Sequence, residues 1–206
     1  ETEDQIEGMK ALKNIYQLSS FFGLENEEIS EKFNEVEELD EKFNELRNLP
    51  DEFNDHFSEQ GWIAYESLNT EVMKKAVSLA DDGQFKEAEE VLIDYYNEEN
   101  IEFMISRLKG IKEFHLRMDL IYKAFEDYIQ GRYHACVPVI LMMIDGFVND
   151  IKQKGFFAEG VDLNVWDTIA AHDSGLNVLT NIFGKNKKKT ISDEIKIPYR
   201  NGILHG

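Results

Sequence analysis

Hydrophobic residues recur along most of this chain at spacings of three and four, which is the period of an α-helix. In the first hundred residues the pattern predicts helices over 2–20 and 29–57 and a helical hairpin over 70–97. Pro50 is expected to break the second helix, because proline has no backbone N–H for the helical ladder. Asp81, Asp82 and Gly83 form the predicted turn of the hairpin. This half of the chain is therefore predicted to be wholly helical.

The second half continues the helical pattern with longer apolar stretches. A short helix over 101–109 and a long one over 111–130 precede Tyr133–Ile151, which is apolar on all sides and is therefore predicted to be buried. Further helices are predicted from Trp166, over 176–183 and from about Pro198, with loops at 155–165 and 184–190. The predicted fold class is all-α.

Composition supports a folded protein inside the cell. Of the 206 residues, 42% are hydrophobic and 12% aromatic, which is too apolar for a disordered chain. The single cysteine, Cys136, excludes an internal disulfide and is expected to be buried. The longest apolar run, Cys136 to Ile144, is too short for a membrane span, and there is no signal peptide. We therefore expect a cytoplasmic protein that does not contact a membrane.

Negative charge is concentrated in the first half of the chain. Residues 1–110 hold 29 acids and 10 bases, whereas residues 111–206 hold 12 of each, so the first part carries the whole net charge of −19. This excess argues against nucleic-acid binding over the whole surface. It predicts an acidic α-helical extension over 1–110 and a separate helical domain over 111–206. A basic cluster in the second part offers a candidate nucleic-acid contact: Lys185, Lys187, Lys188 and Lys189.

Candidate chemistry lies in the last nine residues, from Pro198 to Gly206. On a helix, Asn201 and His205 share a face, and the long side chain of Arg200 can reach the same place. A guanidinium binds phosphate through paired donors, and an imidazole titrates near neutral pH. Together these groups suit phosphodiester chemistry. The alternative is an ordinary helix end, with Arg200 in a surface ion pair and His205 capping the helix dipole.

This motif resembles that of the HEPN family. It consists of an arginine, a polar residue next to it and a histidine, with four residues between the arginine and the histidine. The two long helices that meet at Gly131-Arg132-Tyr133 also resemble the HEPN core, so the resemblance covers about residues 118–206. It implies a helical bundle with an N-terminal helical extension, acting as a metal-independent endoribonuclease without a cofactor. Many HEPN proteins serve bacterial defence or toxin–antitoxin systems, and that role is implied by analogy only.

The resemblance also implies a role for each residue of the motif. His205 would be the general base or acid, Arg200 would hold the phosphate, and Asn201 would orient His205 or contact phosphate. Because one such pair offers few groups for two proton transfers, a homodimer with a shared cleft for RNA is implied. Asp145, inside the apolar helix, either orients Arg200 or His205 or accepts a structural hydrogen bond from a backbone N–H.

Two other functions stay open on the sequence. The chain is alternatively a non-catalytic helical interaction module whose acidic half binds a protein. In a third interpretation the acidic half covers the cleft as a built-in inhibitor or an RNA mimic. The remaining histidines show no metal-ligand spacing, and one cysteine is too few for a cysteine-type zinc site, so no metal is expected.

Overall fold

The computed structural model describes residues 27–158 and 175–184, together with five helical positions near the N-terminus: Gly8, Ala11, Asn14, Ile15 and Leu18. Over these residues the fold is all-α, as predicted, and contains no strand. The α-helices are α1 Glu27–Phe57, α2 Thr70–Asp81, α3 Phe85–Tyr95, α4 Glu98–Leu108, α5 Met118–Ile129, α6 Tyr133–Lys152 and α7 Leu176–Gly184. Two 3-10 helices, Ser58–Gln60 and Lys112–Arg117, join them. The predicted helices from Trp166 and from Pro198 lie outside the described residues.

Helix α1 continues through Pro50, so the predicted break before this proline is wrong. A proline inside a helix costs about 3 kcal/mol relative to alanine. The helix beyond it carries Phe53 and Phe57, which are 1% and 3% exposed. Burying two phenylalanine rings contributes roughly 1.5–3 kcal/mol each, which together equals or exceeds the cost of the proline. Packing in the core therefore decides the course of this helix.

The chain divides into two compact units, residues 1–49 and 50–206. The boundary predicted between residues 110 and 111 falls inside the second unit. There α4 packs against α5, and Ile105 shares a buried cluster with Ile121, Ala124, Cys136 and Met143. Residues 98–108 thus contribute to the same core as α5 and α6. Separating the chain at residue 110 would expose this cluster to water.

The predicted hairpin over 70–97 is present as α2 and α3. Asn69 caps α2, its side chain accepting hydrogen bonds from the backbone N–H groups of Glu71 and Val72 at 2.9 and 3.3 Å. Gly83 has a φ of +75°, the left-handed conformation that the turn between the helices requires. Small residues, with Ala76 and Ala88 both 0% exposed, let the two helices approach closely.

A 3-10 helix replaces the first part of the long helix that was predicted over 111–130. The α-helical part begins only at Met118. In the 3-10 segment Leu116 is 96% exposed, while the ring of Phe114 stacks on Phe147 of α6 with 4.3 Å between centroids. The Arg117 guanidinium donates to the Glu113 carbonyl oxygen at 2.6 Å and to Asp150 of α6 at 2.7 Å. Phe114 and Arg117 thus bind this segment to α6. The spacing of its apolar residues alone does not predict that the segment is a 3-10 helix rather than an α-helix.

Helix α6 has the predicted span but not the predicted burial. Its buried residues are Cys136, Leu141, Met143 and Val148. Three isoleucines on one face, Ile140, Ile144 and Ile151, are 37–38% exposed, and Met142 is 59% exposed. Contrary to expectation, α6 is long and apolar enough to cross a membrane, although core helices of soluble proteins also meet that criterion. It packs against α5, and Ile140 and Ile144 line a cavity that α4 and α5 also border.

Candidate functional site

All of the predicted catalytic and nucleic-acid-binding residues lie outside the part of the chain that the structure describes. These are Arg200, Asn201, His205, Lys185, Lys187, Lys188 and Lys189. Their roles remain predictions from the sequence. Of the predicted site residues the structure describes Asp145, on the second half of α6.

Asp145 is bound to the loop that follows its own helix. Its Oδ1 accepts a hydrogen bond from the backbone N–H of Phe157 at 3.3 Å. The loop passes so close that a Cβ added to Gly155 would lie 2.9 Å from the carboxyl carbon of Asp145. Only glycine fits this approach without a shift of the carboxylate. The contact is the backbone bond that the sequence left open as one of two roles for Asp145.

Aromatic packing holds this loop against α6. Phe156 is 6% exposed and forms a small buried cluster with Val148, which Phe147, Phe157 and Leu176 surround. The rings of Phe156 and Phe157 meet edge to face, with centroids 5.1 Å apart. The loop begins at Gln153, whose φ of +57° ends α6 in the left-handed conformation. The turn at Gln153 and the packing of the aromatic rings together hold the loop beside the Asp145 carboxylate.

An ion pair that the sequence analysis did not predict involves Arg117, whose side chain passes the residue after Asp145. The side chain of Arg117 crosses α6 at Gly146, where an added Cβ would meet its Nη2 at 3.2 Å. Its partner is Asp150, and the two side chains are 21% and 47% exposed. This pair joins the 3-10 helix to α6. Because the guanidinium is already engaged twice, its present geometry is that of a structural group rather than a free phosphate-binding one.

A concave region, which we call the aromatic groove, is lined by five aromatic residues and has a volume of about 560 Å³. The aromatic residues are Trp62, Tyr65, Tyr96, Tyr128 and Tyr133. They come from the loop after α1, the end of α3, the end of α5 and the start of α6. No periodic pattern in the sequence predicts this assembly, because its members belong to four separate stretches of chain.

Hydrogen bonds of three tyrosine hydroxyls hold their rings in the aromatic groove. The hydroxyls of Tyr65 and Tyr96 lie 3.0 Å apart, and the Tyr128 hydroxyl donates to the Tyr96 carbonyl oxygen at 2.9 Å. Burial, together with the hydrogen bond to Tyr96, raises the pKa of Tyr65 far above the ordinary value. Burial also raises the pKa of Tyr96.

The loop that carries Trp62 is anchored by a buried side chain. Asn54 of α1 is 0% exposed, and its Oδ1 accepts a hydrogen bond from the backbone N–H of Ala64 at 2.8 Å. Ala64 is itself fully buried. The 3-10 helix at the start of this loop, Ser58–Gln60, packs against α7. An asparagine in a charged helix gives no sequence signal of burial, so this anchor was not predicted.

The core between α4, α5 and α6 contains a cavity of about 310 Å³ beside Cys136. Its lining is apolar, and includes Ile105, Ile121 and Met143. Cys136 is 4% exposed, as predicted, and burial raises the pKa of its thiol. Among the described residues that line it, none carries a charged side chain that could orient a substrate.

Within residues 27–158 and 175–184, no group of three or more His, Cys, Asp or Glu side chains is placed to hold a metal ion. Comparison with known protein families, with curated proteins and with solved structures finds no significant match to this chain. The candidate chemistry therefore rests on the chain's own residues and on the HEPN-like motif.

Proposed function

We propose that this protein is a metal-independent endoribonuclease of the HEPN type. The observation that carries the proposal is the run Arg200-Asn201-x-x-x-His205 in a predicted helix near the end of the chain. Support comes from the hairpin of α5 and α6, which turns at Gly131, as the resemblance implies. A role in bacterial defence or in a toxin system belongs to the same proposal, by analogy only.

In this reaction the ribose 2′-oxygen attacks the adjacent phosphorus, and the bond from phosphorus to the 5′-oxygen breaks. A base removes the 2′-OH proton, and an acid gives a proton to the departing 5′-oxygen. The products are a 2′,3′-cyclic phosphate and a 5′-OH end, without any change of oxidation state. His205 transfers protons because its ordinary pKa lies close to neutral pH. Arg200 stabilises the charge that grows on the phosphate oxygens.

We propose that the active form is a homodimer. One histidine cannot act as base and acid in the same step, whereas two motif helices that face each other supply two histidines and two arginines. The exposed stripe of Ile140, Ile144 and Ile151 on α6 supports a partner copy, since apolar surface of this kind is usually covered in an assembly. A two-fold axis would bring the same residues of both subunits together.

A second candidate function is a non-catalytic interaction module. Two features of the described residues favour it, namely the aromatic groove and the apolar stripe on α6, because concave aromatic surfaces and exposed apolar patches are typical of binding sites. A module of this kind binds a partner but cuts no RNA. A single measurement, that of RNA cleavage, therefore distinguishes the two functions.

The deciding experiment is incubation of the purified protein with mixed single-stranded RNA in the presence of EDTA. We expect cleavage, with cyclic phosphate ends on the products, and its loss in Arg200→Ala and His205→Ala. Matched controls are Arg107→Ala and His134→Ala, which remove the same residue types from exposed helical positions and should cut like the parent. Parent-like activity in both motif variants would overturn the proposal, and an inactive parent would favour the interaction module.

A further inference from the structure

The aromatic groove is preorganised to receive a ligand. Trp62 stacks on Tyr96, with centroids 5.7 Å apart and an angle of 22° between the planes. Tyr128 and Tyr133 form a second ring pair at 5.8 Å. Because the hydroxyls of Tyr65, Tyr96 and Tyr128 are already hydrogen-bonded, these three rings do not have to be ordered when a ligand binds. Tyr133 is 57% exposed, so at least one ring of the groove is accessible.

The stretches of chain that contribute the aromatic residues of the groove are strongly acidic. The stretches 59–66, 94–99 and 126–133, which contain its aromatic residues, hold seven carboxylates and one guanidinium. The acids are Glu59, Glu66, Asp94, Glu98, Glu99, Glu126 and Asp127. All but Asp127 are exposed, and Asp127 is paired with the single base, Arg132, at 2.8 Å. This arrangement attracts cations and repels the phosphates of a nucleic acid.

We propose that the aromatic groove binds an extended cationic peptide segment of a partner protein, with an arginine or lysine side chain against the faces of its rings. Aromatic faces carry negative potential and attract a guanidinium or an ammonium group. The carboxylates of the same stretches of chain add attraction for the other basic side chains of the segment. A volume of about 560 Å³ accommodates one such side chain with its neighbouring backbone. The site is independent of the proposed ribonuclease activity, and its ligand has the opposite charge to RNA.

The test measures binding of fluorescent octapeptides to the full chain by anisotropy. The cationic probe is four Gly-Arg repeats, and the neutral probe is four Gly-Gln repeats. We expect the cationic peptide to bind at least tenfold more tightly. Replacing Tyr133 by leucine should weaken its binding about two- to fivefold, because an exposed aromatic ring attracts a cation only moderately. Trp62→Leu should act in the same direction.

Phe103→Leu is the matched control, because it removes a 64% exposed ring from α4 that does not line the groove. It should bind like the parent, and circular dichroism should show the same helix content in all variants. Equal binding of the two probes, or equal loss in Tyr133→Leu and Phe103→Leu, would overturn the proposal. A labelled uridine octanucleotide is the third probe. Tighter binding of the octanucleotide than of the cationic peptide would also overturn it and would assign the groove to RNA.

Discussion

The Asp145 carboxylate accepts a hydrogen bond from the backbone N–H of Phe157, and this bond joins the second half of α6 to the loop that follows it. The loop reaches the carboxylate because Gly155 has no side chain to obstruct it. A buried or half-buried carboxylate needs such a partner to offset its loss of water. This contact gives Asp145 a structural role.

The first prediction separates the two roles of Asp145. Asparagine keeps an oxygen that can accept from Phe157, so Asp145→Asn should retain the melting temperature and cut RNA within about threefold of the parent. Asp145→Ala should lower the melting temperature by about 2–4 °C, since a hydrogen bond is worth roughly 1 kcal/mol. Calorimetry and the cleavage assay measure these effects. Loss of cleavage in Asp145→Asn at an unchanged melting temperature would instead assign the carboxylate to orienting the motif.

A second prediction concerns the close approach at Gly155. In Gly155→Ala the new methyl group displaces the Asp145 carboxylate and weakens its bond to Phe157. The melting temperature should therefore fall by about 2–4 °C, as for Asp145→Ala. Because both changes remove the same contact, the double variant should be little worse than either single variant. Fully additive losses would show that Gly155 has a separate role.

Much of the helical organisation could be predicted from the sequence, because local chemistry determines it. Gly83 and Gly131 end their helices with φ values of +75° and +67°, and both hairpin turns were predicted at these glycines. The course of α1 could not be predicted in this way. The local effect of Pro50 favours a break, and the buried rings of Phe53 and Phe57 overcome it only in the folded protein.

The candidate sites differ from one another in how far the sequence predicts them. The motif at Arg200 and His205 is contiguous, so the sequence alone shows it. The aromatic groove and the Asn54 anchor depend on contacts between residues far apart in the chain, such as Tyr65 with Tyr96. Helical periodicity contains no information about these contacts, because it describes one element at a time.

A third prediction tests the Asn54 anchor. Asn54→Ala leaves the buried N–H of Ala64 without its acceptor and should lower the free energy of unfolding by about 1–3 kcal/mol. It should also weaken peptide binding, since the same loop carries Trp62. Guanidinium denaturation measures the first effect and anisotropy the second. Asn34→Ala, at an exposed position of α1, is the control and should be as stable as the parent. Similar stability of the two variants would show that the anchor contributes little.

A fourth prediction follows from the burial of Cys136. The thiol is 4% exposed, and burial raises its pKa, so little of it is thiolate at pH 7.5. Reaction with a disulfide reagent should be at least a hundredfold slower in the folded protein than in guanidinium. Because the pKa of Cys136 is raised, the reaction rate of the folded protein should still increase with pH where an ordinary thiol is already fully ionised. Equal rates in the two states would show that the core beside the cavity opens readily.

The last prediction concerns the dimer and Gly202, which lies outside the described residues. A glycine within a predicted helix costs about 1 kcal/mol relative to alanine, and close approach of another backbone is a common compensation. Gly202→Leu should therefore give a monomer that no longer cuts RNA, as measured by light scattering and the cleavage assay. Gly8→Leu is the matched control, because Gly8 is a helical, exposed glycine with no neighbouring atom within 4 Å of an added Cβ. It should remain dimeric and active. A parent protein that is monomeric at micromolar concentration and still cuts RNA would contradict the shared cleft, because a single His205 would then perform both proton transfers.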